Sequence, residues 1–103
     1  DRNEKLDEAL AMIERAAALE PEDPAITDSL GWVHYRLGNL ELAERYLRQA
    51  YTQYPDAEVA AHLGEVLWVR GKRDEARRVW DEALQQTPDS PIIRSTRQRL
   101  EAN

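Results

Sequence analysis

An all-α stack of antiparallel helical hairpins, about six helices in 103 residues, is the fold class this sequence predicts. Three observations carry it. The chain repeats itself at an offset of 33 residues: Leu30-Gly31 returns as Leu63-Gly64, Gly38 as Gly71, Ala43 as Ala76, Ala50 as Ala83 and Pro55 as Pro88. Within each repeat the apolar residues recur at helical spacing. Ala, Leu, Glu and Arg dominate against four Gly and five Pro, a mix that favours helix. Self-similarity at such a period marks a stacked array, in which each unit buries its apolar face on a neighbour.

The elements follow in order. Residues 4–19 carry Leu6, Ala9, Ile13, Ala16 and Leu19 on one stripe, and Pro21 follows. Ala9, Ala16 and Pro21 stand 34 residues before Ala43, Ala50 and Pro55, so this segment matches the second helix of a preceding unit. Residues 25–37 form an amphipathic stretch with Ile26, Leu30, Val33, His34 and Leu37, and Gly38-Asn39 ends it. Residues 40–53 place Leu40, Ala43, Leu47 and Ala50 on one face before Pro55 stops the helix. The scheme returns with Val59, Leu63, Val66 and Leu67, then Gly71, then Ala76, Val79, Trp80, Ala83 and Leu84, then Pro88. Ser90-Pro91 starts a last helix, with Ser90 as cap and Pro91 at the first helical position. Ile92, Ile93, Thr96 and Leu100 give it a short apolar stripe. Arg94, Arg97, Gln98, Arg99 and Glu101 keep its other face polar, as the closing helix of a stack requires. Gly31 and Gly64 lie inside helices, where glycine costs about 1 kcal/mol relative to alanine. Such a cost fits a close helix–helix approach, with Ala43, Ala50, Ala76 and Ala83 as the matching small residues.

Composition narrows the chemistry. There is no Cys, which excludes a disulfide scaffold, thiol catalysis and Cys-ligated zinc. No run of about 18 apolar residues is present, so no span is expected. The net charge of -6 argues against nucleic acid as the main partner. Its distribution is uneven: residues 1–50 hold six basic and eleven acidic side chains, residues 51–103 eight and nine. Arg70, Lys72, Arg73, Arg77 and Arg78 form a basic patch, but Asp74, Glu75, Asp81 and Glu82 interleave with it, and pairing along the helix is the expected use. His62 and Glu65 share a helix face at i, i+3, a spacing that could hold a metal or an acid–base pair. With only two His, and His34 at a packing position, a solvated face is expected instead. No phosphate loop, nucleophile motif or paired-carboxylate constellation occurs, so neither a cofactor nor catalysis is expected.

The motif residues resemble the tetratricopeptide repeat family. Thr27, Leu30, Gly31, His34, Ala43, Leu47, Ala50 and Pro55 occupy its signature positions in one unit. Ala60, Leu63, Gly64, Leu67, Ala76, Trp80, Ala83 and Pro88 occupy them in the next. The resemblance implies a right-handed solenoid divided as 1–23 (second helix of a preceding unit), 24–56, 57–90 and 91–103 (closing helix). The first full unit is one residue short of the usual length of about 34, in the turn after Pro55. Thr27 and His34, then Ala60 and Leu67, stand where the family usually has Trp and Tyr. The wording of residues 28–33 and 61–68 is similar to the last repeats of larger proteobacterial members of the family. Some of those are envelope lipoproteins that scaffold a periplasmic protease and its substrates, which implies an adaptor at the periplasm or outer-membrane periphery.

In this family the first helices of successive units line a concave groove that takes a protein or peptide. The resemblance places Asp28, Trp32, Tyr35 and Arg36 there in one unit, and Ala61, His62, Glu65, Trp68 and Val69 in the next. Trp32 and Trp68 fall off the signature positions; either they are exposed binding anchors, or they pack against upstream helices or the last helix. Some members clamp a ligand carboxylate with cationic residues. Here Asp28, Ser29, Trp32, Glu58, His62 and Glu65 stand in those places, so the expected contacts are apolar, aromatic and toward basic ligand groups. The alternative is an assembly module, self-associating through the stripe Leu6, Ile13 and Leu19 of the first helix.

Overall fold

The computed structural model describes residues 2–102, with side chains from residue 4 onward; Asp1 and Asn103, at the outer bounds of the expected segments, lie outside the described residues. Six helices follow one another: α1 (Arg2–Leu19), α2 (Pro24–Arg36), α3 (Leu40–Gln53), α4 (Ala57–Val69), α5 (Arg73–Gln86) and α6 (Pro91–Glu101). Each packs on its sequence neighbour from α1 to α5, and α6 packs back on α4. Contacts between α2 and α4 and between α4 and α6 make these three one layer, against which α3 and α5 lie.

The sequence sets where the helices start and stop. Asp23 caps α2 by accepting from the Ala25 amide at 2.9 Å, and Asp56 caps α4 by accepting from Glu58 at 3.0 Å. Ser90 caps α6 by accepting from Ile93, with Pro91 following as expected. The hairpin turns depend on two glycines in the left-handed region, Gly38 at φ 89° and Gly71 at φ 85°. At the first, the amides of Gly38 and Asn39 donate back to Tyr35 and His34; at the second, Gly71 and Lys72 donate to Trp68 and Leu67. These paired bonds satisfy the last carbonyls of α2 and α4 and turn the chain into the next helix.

The core gathers where hairpins meet. Ala43, Leu47, Ala60, Val66, Leu67, Ala76, Trp80 and Ile93 are fully buried. The two helical glycines mark the closest approaches, but large side chains, not the matching alanines, supply most of what faces them. A Cβ on Gly31 would lie 2.8 Å from Leu47 Cγ and 3.2 Å from the Ala43 carbonyl oxygen. A Cβ on Gly64 would run into the Trp80 indole. Leu47 and Trp80 occupy the same repeat position, so each unit drops a bulky α3 or α5 residue into a notch on the preceding helix. The first helix is held more loosely. None of its described side chains is buried, and Met12 and Leu19 are 66% and 84% exposed.

Candidate protein-interaction face

The layer of α2, α4 and α6 brings five of the seven expected binding residues into one string of contacts. His62 Nδ1 on α4 donates to Asp28 Oδ1 on α2 at 2.9 Å. The His62 ring stacks on Trp32 at 4.1 Å between centroids, and Trp32 meets Tyr35 at 4.9 Å. Tyr35 then donates its hydroxyl to Glu65 Oε2 at 2.8 Å. Helix α6 completes the string, because Arg99 donates to the other Glu65 oxygen at 2.5 Å. Burial, reinforced by the Glu65 carboxylate, pushes the Tyr35 phenol up to about 12, so it stays a hydrogen-bond donor across the physiological range.

The upstream end of this string opens into a cleft of about 350 Å³. Ile13 of α1, Trp32 and Val33 of α2 supply apolar walls. Asp28, Ser29, Glu58 and His62 supply the polar ones. The downstream end is closed, since Arg99 covers Glu65.

Two expected residues lie elsewhere. Trp68 is 8% exposed and belongs to the core, with its ring tilted on Trp80 at 5.8 Å. The guanidinium groups of Arg73 and Arg77 lie 4.7 and 5.0 Å from its centroid. The expectation of an exposed Trp68 anchor is therefore corrected: α5 and its arginines fold over the indole. Arg36 is exposed at the end of α2, outside the string of contacts. Ala61, read as groove-facing, is 1% exposed and packs in the core, while Val69 is 48% exposed.

The basic patch also resolves differently from the expectation. Its pairing runs mainly between elements. Arg70 and Lys72 both reach Glu44 on α3, at 2.7 and 3.1 Å, where Arg48 also donates at 2.8 Å. Arg48 in turn meets Glu75 of α5 at 2.6 Å. Only Arg77–Asp74, at 3.4 Å, pairs within α5. The i, i+3 pair His62 and Glu65 is split between different partners, Asp28 for one and Tyr35 with Arg99 for the other. Among the described residues no cluster of three or more metal-ligating side chains occurs, and no helix is long and apolar enough to cross a membrane.

Residues 2–68 match a family model described as tetratricopeptide repeat, and residues 57–82 match a second model of the same description. The chain belongs to the tetratricopeptide repeat family. A solved thermophilic tetratricopeptide repeat protein of Thermus thermophilus superposes on all of this chain with a TM-score of 0.87, at 26% identity, over 55% of its own length. A tetratricopeptide repeat-containing protein of Pseudomonas aeruginosa is 60% identical over 65 residues, which are 63% of this chain and 11% of that protein. Human protein O-mannosyl-transferase is 29% identical across 97% of this chain and 12% of its own length. The chain thus spans about a tenth of the length of these two curated relatives. Tetratricopeptide repeats are in general protein-interaction modules and typically non-catalytic, although by its name the human relative belongs to an enzyme.

Arg99 is the residue of this string of contacts that the sequence did not point to. On α6 it belongs to a polar row with Arg94 and Arg97, and no local spacing tells that Arg99 reaches Glu65 of α4 while Arg97 reaches Asp81 of α5. Ile13 carried a signal only as part of an apolar stripe.

Proposed function

We propose that this tetratricopeptide segment is a non-catalytic docking module that takes a peptide or partner protein on the α2/α4 face. The observation that carries it is the half-buried Trp32, set in a cleft between helices, stacked on His62 and tilted against Tyr35. A positioned aromatic loses little freedom on binding and contributes a large contact area, which is why such residues dominate interfaces. The units 24–56 and 57–90, the preceding half-unit 1–23 and the closing helix 91–103 then act as one rigid support. In the narrower form of the proposal the segment belongs to a bacterial envelope adaptor that brings a protease to its substrates. The similarity of residues 28–33 and 61–68 to the last repeats of such proteins supports it, and the relative at 60% identity supports only its bacterial part.

Trp32→Ala in the full-length protein, compared with wild type by affinity capture from the native source, tests the docking face. The expected result is loss of the captured partner with helicity unchanged; full retention of that partner overturns it.

A second reading has its own support. Met12 and Leu19 on α1 are exposed, so α1 could pack against another copy or against upstream repeats. Leu6 and Ile13 of the same stripe are already half-covered. Sedimentation at high concentration distinguishes the two, because a strict monomer removes the self-association version.

A further inference from the structure

We propose that the Trp32 cleft is a subsite for a cationic side chain, an arginine or lysine of an extended partner segment. The proposal rests on the docking reading and names the chemistry of its ligand.

Four observations converge. Two carboxylates, Asp28 and Glu58, line the cleft, and among the described residues no Lys or Arg does. Asp28 is only 9% exposed; its Oδ1 accepts from His62, while its Oδ2 accepts no hydrogen bond from any described residue. One oxygen of the Asp28 carboxylate has no donor among the described residues, and a donor that brings positive charge suits it, since charge-assisted bonds are the strong ones. Glu58 has no side-chain partner among the described residues and stands exposed at the rim. The remaining walls suit the rest of such a side chain. The Trp32 ring offers the electron-rich surface that attracts guanidinium and ammonium groups. Ile13 and Val33 can cover the aliphatic stem, which long cationic side chains lay along apolar surface.

The same face already holds one arginine. At the repeat position equivalent to Trp32, Glu65 accepts from Arg99 of α6, with Tyr35 on its second oxygen. The chain's own Arg99 thus fills the downstream carboxylate, and among the described residues no Lys or Arg reaches Asp28 or Glu58. The acidic surplus of residues 1–50 adds a field of the matching sign.

The test is calorimetric titration of the 103-residue chain with three acetylated, amidated peptides of one Ala-Leu frame, carrying two Arg, two Gln or two Glu. The expected result is binding of the Arg peptide at least about tenfold tighter than the Gln peptide, weakening with salt, and no binding of the Glu peptide. Glu58→Gln, at an exposed rim site, should weaken the Arg peptide about threefold. Trp32→Ala should weaken it about tenfold. Glu41→Gln, the same charge change on α3, should leave it unchanged. Equal binding of the Arg and Gln peptides, lost in Trp32→Ala, would overturn the cationic subsite and leave the docking face standing. Arg-peptide binding that responds to Glu41→Gln as to Glu58→Gln would reduce the effect to net charge and overturn the subsite. Failure of all three peptides would count against both.

Discussion

Gly64 and Trp80 form the tightest contact in the molecule that a single methyl group can probe. A Cβ at position 64 meets the indole, and Trp80 is fully buried. Gly64→Ala should cost about 3 kcal/mol by overpacking, in spite of its gain in helix propensity. Gly31→Ala meets a branched aliphatic side chain that yields more easily, and should cost less. Urea unfolding of the two variants checks the order; a neutral Gly64→Ala would mean that Trp80 is not seated as described. Trp80 also buries its indole nitrogen with no hydrogen-bond partner among the described residues, which is a cost the rest of its packing offsets. Trp68 makes a contrasting case. Trp68→Ala should cost about 3 kcal/mol of stability, as large-to-small core changes do, and leave partner capture intact at temperatures where the variant is folded. The sequence marked both glycines as close approaches, because glycine inside a helix needs a reason. It did not show that Trp68 is covered, because that depends on how Arg73, Arg77 and Trp80 of another helix lie across it.

Between elements, Glu44 is the main electrostatic tie. It joins α3 to the end of α4 and the start of α5 through Arg48, Arg70 and Lys72. Burial alone would raise its carboxyl, but hydrogen bonds from Arg48 and Lys72 outweigh that and hold it below the ordinary value of 4.5. A depressed carboxyl contributes stability that is present above its ordinary value and lost as the pH falls below it. The melting temperature should therefore drop below about pH 4.5, and Glu44→Gln should flatten that acid limb. At neutral pH the same substitution should cost about 1–3 kcal/mol, because three cationic donors lose their charged acceptor. An acid limb of the same depth in both proteins would assign it to other carboxylates. Helix ends were legible where a local residue sets them, as with Ser90-Pro91 and the positive-φ Gly38 and Gly71. The Glu44 network was not, since beyond the i, i+4 Arg48 its partners Arg70 and Lys72 sit 26 and 28 residues away and only the stacking of hairpins brings them together.

At the scale of the molecule, the described α2/α4/α6 layer carries a cleft at Trp32 and an Arg99 cover over Glu65. Helix α6 anchors on α4 through Ile93, which is fully buried, and sends Arg99 to Glu65. Ending the chain at Gln86 should expose the α4 core and lower the melting temperature by several degrees, since a buried Ile contributes roughly 1.5–3 kcal/mol. The repeat period made the layers legible in advance, and with them the shared face of Asp28, Trp32, Tyr35, His62 and Glu65. Which part of that face is open was not legible, because Arg99 arrives from the last helix and Ile13 from the first. The central claim is that a partner docks at the Trp32 cleft. Photo-crosslinking in the full-length protein tests it most directly, with the reactive group placed at Ser29 in the cleft or at Arg45 on the exposed side of α3. A partner crosslinked from Ser29 and absent from Arg45 is the predicted result; a partner crosslinked from Arg45 and not from Ser29 would contradict it.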